Sequence, residues 1–277
     1  MSDLGYFGPD SVTWRVLTDP ASGIGGLRSL LLQALHPLAM AGVVEHSSFA
    51  IDFWARMQRT GDYVLTVAFG TTEQADAAAE RVRRIHPHVR GVDPVTGLAY
   101  SAADPELLRW VHVAEFESFL DCVVRAGAPL TPAEIDRYYA EQVSAARLVG
   151  LFDVPTTAAQ VADYYRDVAP QLRSSSTAEA ASARLLFTPL PRPAAWAQPA
   201  WTAAATLGLA SLPRWARRMY GLPASRVTDL AADAALRGVR AAALRVPATR
   251  RLGPMALEGL ARAAAAGHQV PGVPLAA

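Results

Sequence analysis

"DPELLRWVHVAEFESFLDCVVRAG", residues 104 to 127, marks both ends of a long helix with its own residues. Asp104 offers an N-cap oxygen, Pro105 stands at N1 where its missing N–H is no loss, and Gly127 suits the left-handed position after the last turn. The same devices recur outward from it. "TPAEIDRYYAEQVSAARLVG" (131–150) opens with Thr131, Pro132 and Glu134, a capping box with proline at N1. "TTEQADAAAERVRRIH" (71–86) opens on threonine with Glu73 and Gln74 in its first turn, and Thr157 and Gln160 repeat the pattern. Helical stretches also fall near 175–187, 194–211, 213–220, 225–245 and 248–266. Only "VRGVDPVTGLAYSAAD" (89–104) resists, its glycines and Pro94 favouring a short hairpin or an ordered loop. The reading is an all-α fold, a single domain over 1–277 of roughly ten helices, with 1–10 and 267–277 as loose tails.

Composition narrows the function. A chain of 277 residues, 51% hydrophobic and 18% charged, buries a substantial core. The net charge is +1, and the arginines alternate with acids, so the clustered positive charge of a nucleic-acid binder is missing. A lone cysteine, Cys122, forms no internal disulfide, and no CxxCH motif attaches a haem covalently. The N-terminus lacks the pattern of a signal peptide, which makes a cytoplasmic location the expectation. The most apolar runs, 27–44 and 201–213, are interrupted by polar residues or too short for the roughly 20 apolar residues of a spanning helix, so no transmembrane segment is expected. Peripheral contact with lipid is left open, as is the oligomeric state. The motifs of serine hydrolases, P-loop proteins, dinucleotide-binding folds and zinc proteases are absent, and "GIGGLRSL" (23–30) reads as a flexible helix start.

Three polar clusters do not suit a core. Arg56, Arg59 and Thr60 share one helix face at i, i+3 and i+4, beside Phe53, Trp54, Met57 and Tyr63. Glu45 lies eleven residues before Arg56 and joins that face if the helix is unbroken. In "RRIHPHVRG" (83–91), His86 precedes proline and so ends its helix. Two readings stay open for it, a cap at the negative end of the helix dipole or a ring nitrogen offered to a metal, and His88 offers the same chemistry. His112 lies on the stripe of Leu108, Val111, Glu115 and Phe119, where a hydrogen-bonded core histidine with Glu115 as partner is the default.

At these clusters the chain resembles the catalytic-domain family of the mpaB-type oxygenases and the latex-clearing rubber oxygenases. The resemblance runs from about Trp14 to about Tyr220, through "LLLQALHPLAMAGVVEHSSF", "RMQRT", "IHPHVRG", "GLAYSAADPELLRWVH", "LTPAEIDRYYAE" and "LGLASLPRWARRMYGL" in that order. It implies a helical protein holding haem b non-covalently through a proximal histidine. His86 is the implied iron ligand, since Arg90 follows four residues later as in the family pattern, with His88 as fallback. The rubber oxygenases carry Arg-x-x-Lys-Thr on the distal side, where the lysine closes the sixth position; here it reads Arg56-Met57-Gln58-Arg59-Thr60, and a guanidinium lends no lone pair to iron. Arg59 keeps a role as a hydrogen-bond donor, and Glu45 is the candidate for the family's distal base. Phe49, Phe53, Trp54 and Tyr63 are the expected apolar wall, with His46 and His112 as further pocket residues. The implied function is a haem-dependent oxygenase, using dioxygen or peroxide on a hydrophobic small molecule. The alternative is a non-catalytic protein holding a lipid, pigment or haem in the same cavity.

Overall fold

A computed structural model describes residues 2–46, 52–94 and 96–269. Among them are fourteen α-helices: α1 (Val12–Thr18), α2 (Ala21–Gln33), α3 (Pro37–His46), α4 (Phe53–Phe69), α5 (Thr72–Ile85), α6 (Pro105–Arg125), α7 (Pro132–Leu148), α8 (Ala158–Val168), α9 (Ser176–Phe187), α10 (Gln198–Ser211), α11 (Arg214–Met219), α12 (Arg226–Ala243), α13 (Ala248–Arg251) and α14 (Pro254–Ala265). Between α5 and α6 an antiparallel hairpin pairs β1 (Arg90–Val92) with β2 (Ala99–Ser101), Gly91 opposite Tyr100, as the 89–104 segment suggested. The fold is all-α. The count exceeds ten because proline divides apolar stretches: the run 27–44 breaks around His36-Pro37, and α2 and α3 meet at 101°. No single helix among the described residues is long and apolar enough to cross a membrane, although this bent pair passes by length and composition.

The caps act as their residues dictate. Asp104 accepts from the N–H of Glu106, and Thr71–Gln74 and Thr131–Glu134 close reciprocal boxes. Thr157 accepts from the N–H of Gln160, but the Gln160 side-chain Oε1 takes the N–H of Thr156 instead of that of Thr157. Gly127 is left-handed at φ 85°. In the N-terminal stretch the Asp3 carboxylate accepts from the N–H of Thr72, the Tyr6 hydroxyl donates to Asp76, and Gly8 and Pro9 are buried. The tail 267–269 is described, and 270–277 lie outside the described residues.

At the centre α6 packs along α2, whose other side meets α10. Glycine sets that spacing. A Cβ on Gly25 would stand 2.6 Å from the Ser118 carbonyl oxygen and 2.7 Å from the Phe119 Cα, so only hydrogen fits between these backbones. "GIGGLRSL" therefore lies inside a rigidly packed helix rather than at a flexible start. A buried ion network locks the contact. Arg28, 1% exposed, donates to Glu117 (2.6 and 3.1 Å), to the Ser118 hydroxyl (2.6 Å) and to the Ser211 carbonyl (3.2 Å), with Asp121 at 3.4 Å. Burial opposes the Arg28 charge, but Glu117 and Asp121 outweigh it and hold its pKa above the ordinary value. Arg125 extends the network to Asp121, Asp233 and the Ser211 carbonyl.

Candidate functional site

Beside this spine, α2, α3, α4, α6 and α9 enclose a cavity of about 260 Å³. Leucine, methionine, alanine, valine and phenylalanine make up most of its wall. Its polar groups are few: Arg56 and Thr60 from α4, His86 from the turn after α5, Gln33 from α2, Glu115 from α6 and Ser182 from α9. Two further spaces adjoin it. One of about 290 Å³ shares Arg56, His86, Gln33 and Val111 and adds His46. The other, about 310 Å³, shares Gln33, Met57, Thr60 and Glu115 and reaches Trp201 of α10. Few, convergent polar groups in an apolar enclosure are the usual form of a small-molecule site.

His86 caps α5, its N–H donating to the Val82 carbonyl, and begins a single 3₁₀ turn, His86–His88. Its ring is half-buried and has no hydrogen-bond partner among the described residues. Burial lowers its pKa, so the imidazole is neutral and keeps a lone pair. Thus the cap and the cavity-facing ring are two roles of one residue, the first served by its backbone. The guanidinium of Arg56, a residue also half-buried, has no acidic or hydrogen-bond partner among the described residues; burial first, and then the Arg59 charge, pull its pKa down. An uncompensated guanidinium facing a cavity suits an anionic group. The Thr60 hydroxyl donates to the Arg56 carbonyl at 3.1 Å, which leaves its oxygen to accept.

Other candidates lie apart. Arg59 is exposed and lines none of these spaces, and His88 and Arg90 are exposed too. The Arg90 carbonyl accepts from His46 Nε2 at 3.1 Å. Glu45 does not share the Arg56 face, because the helix is broken: α3 ends at His46, and Asp52 caps a new helix by accepting from the N–H of Ala55. The Glu45 carboxylate instead accepts from the Tyr100 hydroxyl at 2.5 Å, beside the hairpin and outside the cavity wall. Phe53 lines the cavity; Trp54 packs edge-on to Trp201 and donates to the Pro189 carbonyl. Phe49 lies outside the described residues.

His112 packs on Phe116, ring centres 4.7 Å apart, and no hydrogen bond joins it to Glu115. Burial drives His112 down to about 3 and Glu115 up to about 7. The stability consequences have opposite signs. A histidine whose folded pKa is depressed contributes a penalty that grows as pH falls from 6.5 toward 3; a carboxyl whose folded pKa is raised contributes one that grows as pH rises from 4.5 to 7. Glu115→Gln is therefore expected to stabilise the protein by up to about 3 kcal/mol at pH 8 and to change little at pH 4. Urea unfolding at both pH values checks this, and an equal effect at the two would contradict a buried, proton-binding Glu115.

Fold and site together define a helical protein with an apolar cavity lined by a few convergent polar groups. A family model described as "ER-bound oxygenase mpaB/B'/Rubber oxygenase, catalytic domain" matches residues 14–244, and the chain belongs to that family. No curated protein and no solved structure matches it. Sequence reasoning missed Ser182, Met40 and the cavity role of Gln33 and Glu115. The only available signal was Glu115 itself, a second titratable residue on the otherwise apolar stripe of His112.

Proposed function

We propose that this protein is a haem b-dependent oxygenase acting on a hydrophobic small molecule. One observation carries the reading: an unpartnered neutral imidazole and an unpartnered guanidinium, His86 and Arg56, face the same apolar cavity. The donor types present suit the group, which would need the adjoining spaces as well as the cavity itself. Among the described residues no three His, Cys, Asp or Glu side chains assemble to hold a bare metal ion, whereas a macrocycle brings four nitrogens and asks for one axial donor and apolar walls. His86 would be that donor, and Arg56 would face an acidic edge of the ring. When bound, haem supplies the oxygen chemistry that no side chain provides. The chain's own part is to exclude water with Leu30, Met40, Phe53 and Leu185, to keep His86 unprotonated by burial, and to offer Thr60 and Arg56 as polar contacts on the α4 side. Arg59, at the position of the rubber oxygenases' lysine, closes nothing: a guanidinium does not ligate iron, and this one lies outside the cavity wall.

The visible spectrum of protein purified from haem-supplemented cells tests this. A Soret band that shifts on dithionite and again on carbon monoxide is expected. A featureless spectrum together with failed haem titration would leave a lipid or pigment carrier in the same cavity, and haem binding without oxygen uptake on any apolar substrate would leave a non-catalytic haem protein.

A further inference from the structure

The adjoining space of about 310 Å³ lies between α2, α4 and α6 and meets the His86 cavity at Met57, Thr60 and Glu115. Glycine opens it. Gly23 and Gly26 on α2 and Gly61 on α4 all line it, and a Cβ on Gly23 or Gly61 would meet nothing within 4 Å. Gly61 stands in the interior of α4, where glycine costs a helix about 1 kcal/mol relative to alanine. Gly23 and Gly61 are both solvent-exposed, so these glycines form the open mouth of the space. At the inner end of this chamber stands Glu115. Its carboxyl has no hydrogen-bond or salt-bridge partner among the described residues, although the cavity it borders also holds Arg56. A polar group that lines the space and that the fold leaves without a partner is available to whatever fills it.

We propose that this chamber binds an apolar molecule bearing a hydrogen-bond-accepting oxygen, a ketone, aldehyde or alcohol, and that Glu115 determines specificity by donating a hydrogen bond to that oxygen. The oxygenase reading makes such a molecule the substrate, and the inference rests on that reading for this step alone. Burial raises the Glu115 pKa to about 7, so at pH 6, where the test is run, the carboxyl is mainly in the acid form that donates. A carboxylate ligand is drawn to Arg56 instead, and an ammonium ligand is repelled by it. The other ionisable groups around Glu115 are Tyr63 of α4, Tyr138 of α7 and His112 of its own helix. Tyr63 and Tyr138 are pushed up by burial and His112 is pushed down, so all three are neutral.

The test uses octan-2-one, octane and octylammonium as probes on the full chain as purified, read by tryptophan fluorescence, since Trp201 lines the chamber. One net hydrogen bond corresponds to about a tenfold preference of the wild type for the ketone over the alkane. Glu115→Leu should erase that preference and Glu115→Gln, whose amide still donates, should keep most of it. Gly61→Leu, which gains helix propensity and fills the chamber, should weaken both ligands about tenfold. Equal binding of ketone and alkane by the wild type, an intact preference in Glu115→Leu, or tightest binding of octylammonium would each overturn the proposal. Because binding is read without turnover, a ketone preference in a protein that takes up no haem sinks the oxygenase reading and leaves the chamber's chemistry standing.

Discussion

Replacing Arg28 with alanine is expected to destabilise the fold by about 3–5 kcal/mol, the range for breaking a buried ion pair from one side. Arg28 is 1% exposed, and its side chain satisfies Glu117, Asp121, Ser118 and the Ser211 carbonyl together. Truncation strands Glu117, whose side chain is only 14% exposed and whose remaining partner is the Tyr165 hydroxyl at 3.1 Å. The loss is therefore the penalty of the orphaned carboxylate more than the strength of the pair. Removing both charges separates the two: Arg28→Met with Glu117→Leu should recover most of the stability. Urea unfolding of the single and double variants measures this, and a single-variant loss below about 1 kcal/mol would show that the network is solvated and contributes little. The site is affected as well. The residues that lock α2 to α6 sit on the helices that present Leu30 and Gln33 from one side and Val111 and Glu115 from the other.

The contrast between that network and the cavity explains what the sequence disclosed. Helix ends were legible because their causes are local: Thr131, Pro132 and Glu134 act within one turn, and so do Asp104 and Pro105. The face of Arg56 and Thr60 was legible by the same periodicity, and His86 by the proline after it. Glu45 was not, since its relation to Arg56 depended on an unbroken helix, and Asp52 starts a new one. Nor was the wall of the cavity. Leu30, Met40, Val111 and Leu185 come from four helices, of which only α2 and α3 are neighbours in sequence, and nothing in their residue types separates a cavity wall from a filled core. Gly25, Gly26 and Gly61 carry the same ambiguity: a glycine in a helix signals close backbone approach at the first and open space at the last, and only the packed neighbours tell them apart.

His86→Ala is expected to abolish haem retention while leaving the helical content intact. The ring is half-buried at the end of α5 and makes no hydrogen bond among the described residues, so its removal breaks no internal contact of that kind. The cap itself survives, because it is the backbone N–H of residue 86 that donates to Val82. What disappears is the one neutral nitrogen donor that lines both the central cavity and the space beside His46. His88, two residues on, is exposed, so His88→Ala should retain haem as the parent does. Arg56→Ala should fall between them, keeping the axial donor and losing the cation. The haem-to-protein ratio after gel filtration, with far-ultraviolet circular dichroism on the same samples, reads all three. Full haem in His86→Ala would move the ligand to another side chain. His46 would then be the next to test, since its ring also borders the adjoining space, although its Nε2 is occupied by the Arg90 carbonyl.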